Sequence, residues 1–386
     1  MSAGSRFLSV LKHLKPLGLV AIPSPDARPE VERLKAYSAP LEGRRDLLRL
    51  DFNENTMGPS PRVAEAIRAF PADQIAIYPE YDGLREALIA NLEASPAGLA
   101  SVLTPAHVGV FNGVDAAIHA VIHAFGASGD TLLTTSPTFG YYAPCAGMQG
   151  MAIEAVPHEL PGFLFPLEAI RAALSQKPRI LMLCNPNNPT GTRLPADQVL
   201  ELAAAAPESL VVVDELYEAF TGDSVLPLID FRAVPNLLVL RSLAKTAGLA
   251  GLRIGFALGH PDVVDRVGRV TGPYDVNSLA VTAAMAALKD QPYTDAYVAE
   301  VLRARHWIVS ELTRQRVVHH AAGGNYLLLW PRRSPEAVEA ALRAAGVLVR
   351  SMAGKPQIDG SLRISIGTTE QMQRFWQAYQ AIDSEL

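Results

Sequence analysis

A lysine held between two apolar segments is the residue of this sequence with the most obvious chemical potential. Lys245 follows the short apolar run 237–240 and precedes Gly251-Leu-Arg-Ile-Gly-Phe256, a second apolar segment that carries Arg253. An ammonium buried without a partner is costly. Desolvation therefore lowers a lysine's pKa and makes its amine a nucleophile or Schiff-base former. A lone loop lysine is ordinarily exposed, so the residues that end the other apolar runs must decide.

Those runs end in a consistent series. Asn112-Gly113-Val114-Asp115 opens a helical stretch at 114–125. A glycine turn with free N–H groups at a helix start suits an anion, or is simply a capped turn. Ser136-Pro-Thr-Phe139-Gly-Tyr-Tyr142 offers rings that could stack on a planar ligand or fill a core. In Asn185-Pro-Asn-Asn-Pro-Thr-Gly191 two prolines stiffen a polar loop and fix the amides. Asp214 closes the apolar run 209–213, with Tyr217 three residues on. An acid placed there is partly desolvated and requires a cation. Taken in order, these are the groups a pyridoxal-phosphate site requires: an amine for the Schiff base, an acid facing the pyridinium nitrogen, a ring to stack, and N–H groups with an arginine for the phosphate. No cluster of His, Asp and Glu completes a metal shell, and His119 and His123 read as helix-surface residues.

The elements that must position these residues are legible as a pattern. Strand candidates at 107–111, 130–135, 151–156, 179–184, 209–213, 236–240 and 254–258 alternate with helical stretches such as 114–125, 166–175 and 195–206. This is an α/β pattern with a mostly parallel sheet flanked by helices, whose ligands bind at the carboxyl ends of the strands. From about 261 the pattern becomes α+β, with a long helix near 295–315, a helix at 335–344 and strands at 325–330, 347–350 and 361–366. At 386 residues the chain exceeds one usual core. We expect an N-terminal arm (1–46), a large cofactor-binding domain (47–273) and a smaller C-terminal domain (274–386). Phe7, Leu8, Leu11 and Leu14 fall at helical spacing in the arm, which we expect to pack on this chain or on a second subunit.

Bulk composition excludes several classes. With 49% hydrophobic and 19% charged residues the chain is globular, and a net charge of −5 does not suit a dedicated nucleic-acid binder. No apolar run is long enough to span a bilayer, and no secretory signal is evident. Two cysteines, Cys145 and Cys184, in so long a chain point to a reducing compartment, hence the cytoplasm.

Over about residues 36–375 the sequence resembles the fold type I pyridoxal-phosphate enzymes, the aspartate-aminotransferase-like superfamily, and within it the histidinol-phosphate aminotransferases. The resemblance rests on Asn185-Pro-Asn-Asn-Pro-Thr-Gly191, Asp214-Glu-Leu-Tyr217, Ser242-Leu-Ala-Lys245 with Gly251-Leu-Arg-Ile-Gly255, and Leu362-Arg363-Ile-Ser-Ile-Gly367, supported by Asn53-Glu-Asn55 and Tyr78-Pro-Glu80. It implies that Lys245 holds the cofactor as a Schiff base and, once released, moves the proton between substrate Cα and cofactor C4′. Asp214 would keep the pyridine nitrogen protonated, Asn185 and Tyr217 would bind the 3-oxygen, and Phe139 would stack on the ring. The Val114 and Asp115 amides, Ser242 and Arg253 would hold the phosphate. Tyr78 would reach the cofactor phosphate of a neighbouring subunit, making the active unit a homodimer with a shared site. Arg363 would bind the substrate α-carboxylate, Arg350 and Tyr37 would lie near its distal end, and Asn55 belongs to the substrate-side loop.

Three positions depart from the pattern. Ala244 stands where many relatives carry Ser or Thr, which removes one phosphate hydroxyl; Ala116 follows Asp115 where an acidic residue is frequent; and Thr56 replaces a frequent proline. The implied activity is transamination between an amino acid or amino-alcohol phosphate, histidinol phosphate foremost, and 2-oxoglutarate. An aromatic amino acid is the next donor. A decarboxylase, cyclase or oxidase on the same cofactor, and a binding module that keeps the fold without turnover, are the competing readings.

Overall fold

Runs of four to six residues rich in Val, Leu and Ile, separated by helical patterns, bury both faces of a parallel sheet. The computed structural model describes residues 24–34 and 42–383. The stretch 5–15 and Tyr37 lie outside the described residues. The chain divides after residue 35. In its first part a single helical turn, Pro29–Glu32, is described; the sheets and all other described helices belong to the second.

The first strand, β1 (Leu48–Arg49), is followed by seven that form one sheet: β2 (Val108–Phe111), β3 (Thr131–Ser136), β4 (Ala152–Pro157), β5 (Ile180–Cys184), β6 (Leu210–Asp214), β7 (Leu237–Ser242) and β8 (Gly255–Gly259). Their order is β2-β8-β7-β6-β5-β3-β4. Only β8 runs antiparallel to its neighbours; β7, β6, β5, β3 and β4 pair in parallel. Helices Val114–Phe125, Leu167–Leu174 and Ala196–Ala205 lie between the strands in sequence, each within a residue or so of its expected bounds.

Side chains alternate across a strand, and the core divides accordingly. Leu181, Leu183, Val211, Val213, Leu237 and Val239 join one buried cluster. Ile180, Met182, Leu210, Val212, Leu238 and Leu240 join another with Val114, Ala117 and Ile118 of the helix Val114–Phe125. Continuing the alternation, Asp214 and Ser242 face the side of that helix, whereas Glu215 and Arg241 face away from it.

The C-terminal part contains β9 (Val318–His320), β10 (Tyr326–Trp330), β11 (Val347–Leu348), β12 (Arg350–Ser351) and β13 (Leu362–Ser365). Four of these form an antiparallel sheet, β12-β13-β10-β9. Helices Gln291–Arg314, Pro335–Ala344 and Thr369–Ile382 accompany them, the last opened by a capping box of Thr368 and Gln371. Residues 48–49, assigned by sequence to the large domain, instead pair with β11, Leu48 opposite Val347. Leu48 and Leu50 accordingly pack in the C-terminal core with Tyr217 and Phe220. The sequence also joined 347–350 into one strand and missed β9; Val349 separates β11 from β12, which belong to different sheets.

On the face away from the helix Val114–Phe125, the Arg241 guanidinium donates to Glu215 at 2.9 Å and also pairs with Glu218. Glu215, wholly enclosed, accepts besides from the Val225 N–H and the Ser224 hydroxyl. Truncating one partner of a buried pair strands the other charge. Arg241→Ala should therefore cost about 3–5 kcal/mol of stability, read as a lower denaturant midpoint.

Candidate active site

The carboxyl ends of the parallel strands and the amino end of β8 converge on one cavity of about 290 Å³, close to the lower end for small-ligand sites. β2 contributes its following turn. Gly113 adopts φ 80°, and a Cβ there would sit 2.7 Å from an Arg253 nitrogen. Gly255, at the start of β8, packs so close that its Cβ would lie 2.7 Å from the Val114 amide nitrogen. The two glycines thus let β8 and Arg253 close over the first turn of the helix Val114–Phe125, whose N–H groups lack intrahelical acceptors. Val114, Asp115, Ser242, Ala244 and Arg253 line this end. The half-exposed Arg253 donates to Asp115 at 2.8 Å. The Ser242 hydroxyl accepts the Ala244 N–H at 3.0 Å and donates to the Ile254 carbonyl at 3.3 Å, so it ties both ends of the intervening loop.

Asp214, Tyr217, Phe139, Lys245 and Arg363 line the same cavity. Asp214 is buried at the end of β6 and accepts from the Tyr142 hydroxyl at 2.7 Å and the Leu216 N–H at 3.3 Å. Burial pushes its carboxyl up to about 6, against the lowering effect of those two donors. Such a carboxylate gains from a cation facing it. Lys245 donates to the Phe52 carbonyl at 2.9 Å. Burial, reinforced by the Arg363 and Arg253 charges and opposed by Glu54 and Asp115, brings its amine down to about 8. The Tyr217 hydroxyl accepts from Asn53 at 3.1 Å and Asn188 at 3.3 Å, and burial holds it well above the usual phenol range. Arg363 donates to the Asn188 side-chain oxygen at 2.8 Å and the Asp51 carbonyl at 2.6 Å.

Four expected site residues fall elsewhere, and Tyr37 lies outside the described residues. Asn185 does not line the cavity: its amide is spent on the Leu194 backbone, donating to its carbonyl at 2.8 Å and accepting its N–H at 3.0 Å, whereas Asn188 lines the cavity. Asn55 is buried in its own turn, accepting the Met57 and Gly58 N–H groups and donating to the Thr246 carbonyl. Arg350 does not line the cavity; its guanidinium lies 5.7 Å from the centre of the Phe52 ring. Tyr78 is exposed and stacks on Tyr274 at 4.3 Å, away from the cavity of its own chain.

Three contributors escaped sequence reasoning. Asn188 hid in a loop with three asparagines, and only the fold shows which amide turns inward. Tyr142 was visible as one of two adjacent tyrosines, but its contact with Asp214 spans 72 positions. The Phe52 carbonyl, as backbone, left no signal.

The residues present fit pyridoxal phosphate. The glycine-kept cradle at the helix start suits a phosphate, and the buried Asp214 suits a protonated ring nitrogen. The edge-to-face pair of Phe139 and Tyr142 sets an aromatic wall, and Lys245 supplies the desolvated amine. Among the described residues no group of His, Cys, Asp and Glu could hold a metal ion, and no helix is long and apolar enough to cross a membrane.

Known proteins resemble this chain over most of its length. The family model described as aminotransferase class I and II matches residues 45–378. Histidinol-phosphate aminotransferase 1 of Pseudomonas fluorescens is 35% identical over 85% of this chain and 90% of its own length. Histidinol-phosphate aminotransferase of Roseiflexus castenholzii is 33% identical over 89% and 94%. Among solved structures, histidinol-phosphate aminotransferase from Sinorhizobium meliloti, in complex with pyridoxal-5′-phosphate, superposes with a TM-score of 0.82 at 25% identity, covering 93% of this chain and 98% of that one.

Two outcomes test the geometry. Gly113→Ala crowds Arg253 and strains a left-handed backbone position, and should weaken cofactor binding at least about tenfold, a loss of about 1.4 kcal/mol, in a fluorescence titration. In the cofactor-free chain, labelling of Lys245 by an amine-selective reagent should reach half its maximal rate near pH of about 8, since only the deprotonated amine reacts; an ordinary lysine reaches it at far higher pH.

Proposed function

The chain belongs to the aminotransferase class I and II family, and we propose that it transfers an amino group from an amino-alcohol phosphate of the histidinol-phosphate type to 2-oxoglutarate. It is a pyridoxal-phosphate-dependent aminotransferase. The likeness to histidinol-phosphate aminotransferases carries the choice of donor.

When bound, pyridoxal phosphate supplies the electron sink that lets the substrate Cα lose a proton. The chain does the rest. Lys245, brought down to about 8 by its surroundings, is a base matched to neutral pH, and it moves the proton at Cα. Asp214, itself held by Tyr142, would keep the ring nitrogen protonated. Tyr217 and Asn188, the latter in place of Asn185, would bind the 3-oxygen, and Phe139 would stack on the ring. The Val114 and Asp115 amides, Ser242 and Arg253 would hold the phosphate, without a hydroxyl at Ala244. Arg363, oriented by Asn188 and the Asp51 carbonyl, presents its guanidinium to a substrate anion. Arg350 would serve the distal phosphate.

A second copy of the chain completes the site in this proposal. Tyr78 lies with Ile75 and Ile77 in an exposed apolar depression that also includes Tyr274. Such a patch suits a self-complementary interface that hands Tyr78 to the partner's phosphate. The large domain, whose core takes in Val276, Ala280 and Leu288, and the small domain, whose core takes in Leu48 and Leu50, would meet across the cavity. The reaction belongs in the cytoplasm, where the buried free thiols Cys145 and Cys184 stay reduced.

A spectral screen of amino donors against the cofactor absorbance tests this directly. Histidinol phosphate should give the largest change and yield glutamate when 2-oxoglutarate is present. Lys245→Ala should abolish turnover. Arg350→Ala should raise KM for the phosphorylated donor by about 10- to 100-fold, the worth of a charge-assisted hydrogen bond, with less effect on kcat. Carbon dioxide release without a carbonyl product would overturn transamination.

A further inference from the structure

The segment 51–53 touches more of the cavity than its sequence suggests. The Asp51 carbonyl accepts from Arg363. The Phe52 carbonyl accepts from Lys245 at 2.9 Å, and the Phe52 ring has two guanidinium groups over it, Arg44 at 4.2 Å from its centre and Arg350 at 5.7 Å. Asn53 donates its side-chain amide to Tyr217.

Four buried hydrogen bonds hold this backbone. The Asn53 N–H donates to the Ser365 hydroxyl at 2.8 Å, and that hydroxyl donates to the Asn53 side-chain oxygen at 2.9 Å. The Asn53 carbonyl accepts from Asn325 at 3.1 Å, and the Asn53 amide bonds Tyr217. Asn53 itself adopts φ 55°, a left-handed geometry that Asn tolerates better than most residues. So many constraints on a two-residue stretch fix the direction of one carbonyl.

We propose that the Phe52 carbonyl is the docking point of the Lys245 amine whenever that amine is not bonded to the cofactor, and that Asn53 and Ser365 are positioning residues for it. This rests on the role assigned to Lys245 above. A carbonyl can only accept. A neutral amine therefore spends one N–H on it and keeps its lone pair for the substrate proton; after proton transfer the ammonium keeps the same bond, now charge-assisted. Gain and loss of the proton then occur at one fixed nitrogen position. The charged groups around that nitrogen are Arg363, Arg253, Glu54 and Asp115, with Asp214 and Tyr217 in the same cavity.

The bond is observable apart from catalysis. The full-length chain carrying 13C-carbonyl phenylalanine and 15N asparagine gives carbonyl–amide cross-peaks from only two dipeptides, Phe52-Asn53 and Phe111-Asn112. With the cofactor stripped, one cross-peak should titrate with a midpoint of about 8 and become flat in Lys245→Ala, or in Lys245→Met if the alanine variant does not fold. Ser365→Ala, which loosens the carbonyl, should lower the midpoint, because a hydrogen bond to the charged form raises a lysine's pKa. A cross-peak that does not titrate, titration that survives in the lysine variant, or an unmoved midpoint in folded Ser365→Ala overturns the proposal. Absence of transamination with an intact titration would instead overturn the assigned reaction alone.

Discussion

A parallel ladder fixes more than the height of its strands; it fixes which side chains share a face. Pairing of Asp214 with Leu240 sets the register of β6 against β7, and alternation does the rest. Asp214 and Ser242 turn toward the cavity, while Glu215 and Arg241 meet on the other side. A slip of β6 by one residue would turn its side chains over while β7 stays as it is. It would carry Glu215 to the cavity side without Arg241 and leave Asp214 on the other face. The Arg241–Glu215 contact is thus the internal check on the register that the chemistry requires.

Desolvation acts on both reactive groups and moves them toward each other in pH. Burial raises the Asp214 carboxyl to about 6 and lowers the Lys245 amine to about 8. The linkage differs in each case. Asp214 holds its proton to higher pH when folded than when unfolded, so its contribution to stability is lost as pH rises through about 6. Lys245 holds its proton less tightly when folded, so its contribution is lost as pH falls from the ordinary lysine range to about 8. A cation opposite Asp214 would relieve the first cost, and a bound cofactor with a protonated ring nitrogen would supply one there, coupling its own retention to the stability of the fold.

Much of the fold was legible because the apolar runs of the large sheet are short, regular and bounded by turn residues. Their ends carried the chemistry, and Lys245, Asp214, Tyr217, Ser242, Arg253 and Arg363 all reached one cavity. What failed did so for physical reasons. In the loop 185–191 every asparagine has the same chemistry, and hydrogen bonds to Leu194 alone withdraw Asn185 from the site. Strand β1 is two residues long and is stabilised by pairing with a strand some 300 positions away, which no local pattern announces. Arg350 and Tyr78 were chosen for roles that need a substrate or a second subunit, and neither requirement is met by the cavity of one chain.

The loop that carries Lys245 begins and ends at the same place. Ser242 pairs with Gly255 across β7 and β8, so residues 243–254 leave the sheet and return to adjacent positions. Both the amine and the guanidinium are therefore mounted on one closed excursion whose ends do not depend on its contents. Exchanges within it, such as alanine for a hydroxyl residue at 244, can retune the anion end of the cavity while the sheet stays as it is. A change in its length would have no such freedom, because it would have to be absorbed between two fixed points.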